Sequence, residues 1–333
     1  MVSKSGLALA GLGALTLAAG AYGALVEREK FTVRRETLPI LDPGSEPLRV
    51  LHLSDLHMAP WNSGLITWVR SLGDLRPDVV VGTGDFLGHP DGLSALTEAL
   101  LPLRGVPGVV VHGSNDKVAP RPKNPFSYLV EPSKVHEESR STPLDFEGLK
   151  ALYSTLGWSD IDNAATSMTL KGNHLEWVGV GDAHYGLDDL DSLPGIVEQM
   201  RESHPDSEGG STTTVGVTHA PYRRVLNALV NQGTELIMAG HTHGGQVCLP
   251  GGMALTTNCD LPTSMASGTH VWTHANKSSY LNVSAGLGTS IFAPVRLFAH
   301  RRQSWSLSWV RISGKVGACL TGHNCITGCG AAW

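Results

Sequence analysis

Five short motifs in this 333-residue chain gather side chains that bind divalent cations: S-D-L-H at 54–57, T-G-D-F at 83–86, G-S-N-D at 113–116, T-H-A-P at 218–221 and G-H-T-H-G-G-Q at 240–246. Their ligand-type members are Asp55, His57, Asp85, Asn115, His219, His241 and His243. Carboxylate, amide and imidazole without thiolate favour Mn, Fe, Zn or Co over a structural zinc. A carboxylate has two oxygens and can bridge two cations. Two cations roughly 3.5–4 Å apart lower the pKa of a shared water towards ~7 and hold a phosphoryl oxygen during in-line attack. Phosphate esters suit such a clamp because their transition state spreads negative charge over several oxygens. Each motif alone is weak, since a Gly-Asp after a strand is commonly a turn and the chain has 15 histidines. The ordered set of five carries the reading.

Residues this far apart meet only if regular elements deliver them to one place. Apolar runs at Leu48–Leu53, Val79–Val81, Val109–Val111, Thr213–Val217 and Leu236–Ala239 read as strands, and each ends just before a ligand candidate. Gly64–Leu75, Leu93–Leu103, Leu187–Arg201 and Tyr222–Asn231 read as intervening helices. Alternating strands and helices imply an α/β domain, whose ligand sites form beyond the carboxyl ends of the strands. Lys117–Leu149 interrupts the rhythm with five prolines and several charges, and reads as a loop insert at the site rim.

In their order these motifs resemble the calcineurin-like metallophosphoesterase superfamily over roughly residues 46–310. G-H-T-H-G-G-Q, with the Leu-Gly-Thr-Ser and Pro-Val-Arg-Leu segments near 287–297, is similar to its membrane-associated bacterial branch. The resemblance implies an α/β four-layer αββα sandwich with two mixed β-sheets, metallo-dependent phosphatase-like, and two divalent metal ions at the sheet edges. It implies that Asp55, His57 and His243 hold one ion, that Asn115, His219 and His241 hold the other, and that Asp85 bridges them. A metal-bridging hydroxide would then attack a phosphate ester or pyrophosphate. The alternative is a metal-binding scaffold of the same fold without catalysis, for which lost ligands would be the sign. A two-metal amidase or protease lacks the H-E-x-x-H helix.

The family motif Gly-Asn-His-Asp/Glu is altered here. Counting from Val109 places Asn115 on the family asparagine and Asp116 on its histidine; the other register places Ser114 and Asn115 there. The first keeps an amide ligand. It leaves Asp116 to orient substrate or water, since an acid near cations ionises readily and donates protons poorly. His184, in G-D-A-H-Y, is then a candidate proton donor, although an ordinary loop histidine is the plainer reading of the sequence.

A hydrophobic content of 41% with 17% charge fits a globular body, and a net charge of −5 argues against a nucleic-acid surface. Gly6–Val26 has no charged residue and is just long enough to cross a bilayer. A single-pass anchor within residues 1–35 competes with a cleaved leader and a buried core helix. Arg28, Lys30, Arg34 and Arg35 after the run favour a cytoplasmic main domain. Membrane attachment would suggest a lipid-linked phosphate among the phosphorylated substrates. Residues 36–47 read as a linker, 48–312 as the phosphoesterase domain, and 313–333, with Cys319, Cys325 and Cys329, as a flexible tail that matches no zinc signature.

Overall fold

Val79, Val80 and Val81 are all fully buried although successive strand side chains point to opposite faces, so this strand is covered on both sides. The same holds for most strands that lead to the site. The computed structural model describes residues 18–120, 142–203, 212–249, 251–292, 294–296 and 305–314. Among them the strands are β1 (Phe31–Leu41), β2 (Leu48–Leu53), β3 (Val79–Gly82), β4 (Gly108–Val110), β5 (Trp158–Asp160), β6 (Ala165–Leu170) and β7 (Asn173–Val180). They continue with β8 (Thr212–Thr218), β9 (Leu236–Ala239), β10 (Cys248–Leu249), β11 (Met253–Ala254), β12 (Gly268–His274), β13 (Lys277–Val283) and β14 (Trp305–Gly314).

Two mixed six-stranded sheets form, ordered β1-β14-β2-β3-β4-β5 and β12-β13-β9-β8-β7-β6, with β10-β11 a separate hairpin. Strands β2 to β5 run parallel, as do β7, β8, β9 and β13, so each sheet gathers its carboxyl ends on one edge. Val79, Val81, Val109 and Val111 of the first sheet pack against Leu175, Trp177, Val215, Val217 and Met238 of the second. The opposite faces carry helices. Leu51, Val80 and Val110 meet α1 (Ser63–Ser71), α2 (Gly92–Leu100) and α3 (Phe146–Leu156). Val178, Ile237 and Leu281 meet α4 (Leu193–Ser203) and α5 (Arg223–Asn231). The result is the αββα sandwich.

The single-pass anchor is corrected. Among the described residues no helix is long and apolar enough to cross a membrane. Residues 18–25 of the apolar run are helical and then give way to a 3-10 turn at Glu27–Glu29; residues 6–17 lie outside the described set. The described end of the run docks on the domain, with Arg296 N–H donating to the Gly23 carbonyl at 3.3 Å. The case for a lipid-linked substrate rested on that anchor and lapses with it. Residues 36–41, read as linker, form the second half of β1. Of the insert, 121–141 lie outside the described residues and 146–149 open α3. Of the tail, 315–333 and its cysteines also lie outside them.

Candidate metal centre

The ligand candidates leave the strands in strained turns. Asp55, His57, Asp85, His241 and His243 all have positive φ, between 42° and 68°. That conformation costs an L-residue about 1–2 kcal/mol each and concentrates where function over-determines the backbone. The loops lock together through the backbone. His57 N–H donates to the Asp85 carbonyl and Met58 N–H to the Phe86 carbonyl, both at 2.9 Å. A Cβ on Gly113 would collide with Asp85 Oδ1 and lie 2.8 Å from the His219 ring, so only glycine allows this approach.

Two clusters of ligand atoms result, Asp55 with His57 and His243, and Asp55 with Asp85 and His219, each with its atoms within 4.8 Å of one another. His57 Nε2 is 3.2 Å from His243 Nε2, and His243 Nε2 is 3.4 Å from Asp55 Oδ1. Asp85 Oδ2 lies 3.6 Å from His57 Nε2 and 3.7 Å from His219 Nε2. Asn115 joins through Asp85, donating from its side-chain amide at 2.7 Å and from its backbone at 2.8 Å. His241 flanks the second cluster, its ring 5.2 Å from His219, with Nε2 3.2 Å from the Asn258 carbonyl.

Several features fit divalent cations. Asp55 Oδ1 and His219 Nε2 are buried without a hydrogen-bond partner among the described residues. His219 Nδ1 sits 2.6 Å from the Thr83 carbonyl, which can only accept; this fixes the proton there and turns the Nε2 lone pair of the neutral ring to the cluster. Burial pushes His57 and His241 down and His243 to about 3, which keeps three imidazoles neutral as ligands must be. Burial also pulls His219 down, but Asp85, Asp182 and Asp55 outweigh it and raise it to about 9 without metal. Burial lifts Asp55 to about 7 against the pull of His219. Burial acts the same way on Asp85, yet His219, His57 and Asn115 hold it far below the carboxylate range.

Asp116 is fully buried, and its carboxylate accepts backbone N–H bonds from Asp85, Phe86, Leu87 and Gly113 at 2.7–3.2 Å. The geometry uses it as a clamp on the Asp85 loop, in place of the substrate- or water-facing group read from the motif. His184 stands beside His241, ring centroids 4.6 Å apart, with Nδ1 3.0 Å from the Tyr222 hydroxyl. Asp182 lies outside the five motifs. It is buried, accepts the His184 N–H at 2.9 Å, and is pushed up to about 6 by burial against the pull of His219. Its Gly-Asp at the end of β7 repeats Gly84-Asp85 after β3, which is the signal that marks it.

An αββα sandwich with candidate nitrogen and oxygen ligands clustered at its strand ends defines a metallo-dependent phosphatase-like protein. Residues 48–245 match the family model described as calcineurin-like phosphoesterase, and the chain belongs to that family. It is 24% identical over 225 residues to phosphodiesterase YaeI of Escherichia coli, spanning 66% of this chain and 69% of that one. It is 27% identical over 222 residues to a Bos taurus transmembrane protein with a metallophosphoesterase domain, covering 62% of this chain but 43% of the longer relative. Among solved structures, TT1561 of Thermus thermophilus aligns at 11% identity and a TM-score of 0.41, over 73% of this chain and 91% of its own.

Proposed function

We propose that this chain is a dinuclear-metal phosphoesterase that hydrolyses a phosphate ester or a pyrophosphate. The observation that carries the reading is the place of Asp85 Oδ2, almost equidistant from His57 Nε2 and His219 Nε2 at 3.6 and 3.7 Å. In this reading Asp55, His57 and His243 hold one cation, Asn115, His219 and His241 hold the other, and Asp85 serves both. Charge supports divalent cations at this place. Asp55, Asp85 and Asp182 are buried together around His219, while His57, His241 and His243 are neutral. Buried carboxylates without compensating charge are costly, and divalent cations offset them.

When bound, the ions supply Lewis-acid stabilisation of the phosphoryl oxygens and acidify water. The protein's own residues do the rest. Asp116 fixes the Asp85 loop, Thr83 fixes the His219 tautomer, and His184, braced by Tyr222, supplies a proton to the leaving group. Burial pushes the Tyr222 hydroxyl up to about 12, so it stays a neutral phenol whose oxygen accepts from Nδ1–H of the protonated His184 ring, and Nε2–H is the proton given to the leaving group. The test is metal analysis of the purified protein with turnover of aryl phosphate monoesters and diesters in Mn, Zn, Fe and Co. Two ions per chain and metal-dependent turnover are expected. Folded protein with neither would end the reading.

A further inference from the structure

Among the described residues the layer between the two sheets is largely apolar; besides Thr213, whose hydroxyl donates to the Ile40 carbonyl at 3.5 Å, it carries a polar pair beneath the metal centre. His52 on β2 and Asn282 on β13 both point into it and are fully buried. His52 Nδ1 lies 2.9 Å from Asn282 Oδ1, and His52 Nε2 lies 3.0 Å from Thr83 Oγ1. Asn282 Nδ2 donates to Thr269 Oγ1 at 2.9 Å, with the amide oxygen turned to His52. The amide oxygen can only accept, hence His52 Nδ1 carries the proton and Nε2 accepts from the Thr83 hydroxyl.

The bridge is continuous with the ligands. Thr83 also holds His219 Nδ1 through its carbonyl at 2.6 Å and is two residues from Asp85. His52 is three residues before Asp55 on the strand that delivers it. Gly240, just before His241, packs onto the same spot: a Cβ there would lie 2.6 Å from Asp55 Oδ2 and 3.1 Å from Thr83 Oγ1. Asp55, His57 and Asp85 come from the first sheet; His219, His241 and His243 come from the second. Metal spacing therefore depends on how the two sheets are set against each other. Apolar side chains alone permit small slides, whereas a buried hydrogen bond has a defined length and direction.

We propose that His52 is a positioning residue of the metal centre, its Asn282–His52–Thr83 bridge fixing the separation between the half-site of one sheet and the half-site of the other. This rests on reading the cluster as a metal centre. A residue of this kind acts on metal affinity through the ligands, and loss of an outer-shell partner costs roughly ten- to hundred-fold in affinity.

The experiment titrates Mn into the full-length metal-free protein by calorimetry, with electron paramagnetic resonance to read exchange coupling between paired ions. Wild type, His52→Leu, His52→Gln and Thr83→Val are compared, with circular dichroism as the fold control. His52→Leu is expected to weaken at least one ion roughly ten-fold or more and to alter the coupling. His52→Gln, which keeps polar atoms in the layer, should recover part of both. Thr83→Val keeps the carbonyl that holds His219 and should weaken binding in the same direction, so it reads the bridge even if His52→Leu does not fold. Variants that melt earlier but bind two ions with wild-type affinity and coupling would overturn the proposal, leaving His52 an ordinary packing residue. Wild type that binds no metal would instead overturn the metal-centre reading itself, and the proposal with it.

Discussion

Asp116 reaches back to the loop that carries Asp85, its Oδ1 accepting the Phe86 N–H at 2.7 Å. With three further main-chain donors on the same carboxylate, this joins the turn after β3 to the turn after β4. Both turns must hold still for Asn115 to meet Asp85 through two hydrogen bonds. The clamp holds the ligand candidates Asp85 and Asn115 in place.

Asp116→Ala should therefore act on stability and metal affinity together. Leaving buried N–H groups without an acceptor costs about 1–3 kcal/mol each, so a loss of at least about 3 kcal/mol is expected by chemical denaturation. Metal binding should weaken in parallel. If Asp116 instead oriented substrate, the variant would fold and bind metal as wild type and lose only kcat.

Asp85→Ala should weaken both ions, because one oxygen lies near a histidine of each cluster. The loss in kcat/KM should exceed the roughly 10²- to 10³-fold seen when a single electrostatic donor is removed. His243→Ala, at the edge of one cluster, should leave one ion per chain bound. Stoichiometry by elemental analysis separates the two outcomes, and equal stoichiometry in both variants would remove Asp85 from the bridging role.

Much of this site is legible in the residues alone, for a physical reason. Parallel strands ending in Ser-Asp, Gly-Asp and Gly-His carry a period and a stop that need no partner to be recognised. What failed to show depends on contacts remote in sequence. Residues 36–41 contain Pro39 and look like linker, yet they form β1 by pairing with β14, some 270 positions away, with the register shift falling at Pro39. A proline is tolerated at such an irregularity. Asp116 is the converse case: its type and spacing suit a clamp or a substrate contact equally, and only the direction of its carboxylate decides. The anchor reading failed because apolar length alone does not make a membrane span: the described end of the run gives way to a 3-10 turn and meets Arg296 through Gly23.

Metal binding should release protons. Without metal, His219 titrates at about 9 and Asp55 at about 7, so at neutral pH His219 and part of Asp55 are protonated. Both must lose those protons to act as ligands. Apparent affinity should rise with pH from 6 to 9, and calorimetry in buffers of different ionisation enthalpy should read net proton release. No dependence on buffer would contradict this assignment of the two groups.

His52 offers a clean stability test away from the titrating carboxylates. Burial holds it neutral, its pKa down to about 4 from 6.5. A histidine with a depressed folded pKa keeps its full contribution above the unfolded value and loses it as pH falls from 6.5 towards 4, because the unfolded chain binds the proton first. The gap corresponds to roughly 3 kcal/mol. Denaturant melts of wild type and His52→Gln across this window should converge at low pH, the variant lacking this part of the slope. Parallel curves would mean that the histidine is not held neutral.

In the proposed mechanism His184 supplies the leaving-group proton. Its ring is braced by Tyr222 and lies against His241, placing it beside the second cluster rather than within it. A proton donor matters most when the departing alkoxide is strongly basic, because general acid catalysis contributes typically 10²–10⁴-fold only where a proton must move in the transition state. His184→Ala should therefore slow hydrolysis of an alkyl phosphate by about 10²-fold or more and barely slow a nitrophenyl ester, whose leaving group departs as the anion. Tyr222→Phe, which removes only the brace, should show the same selectivity in weaker form. Equal slowing of both substrates by His184→Ala would assign His184 to binding or packing and return the search for the acid to the metal-bound water or the substrate itself.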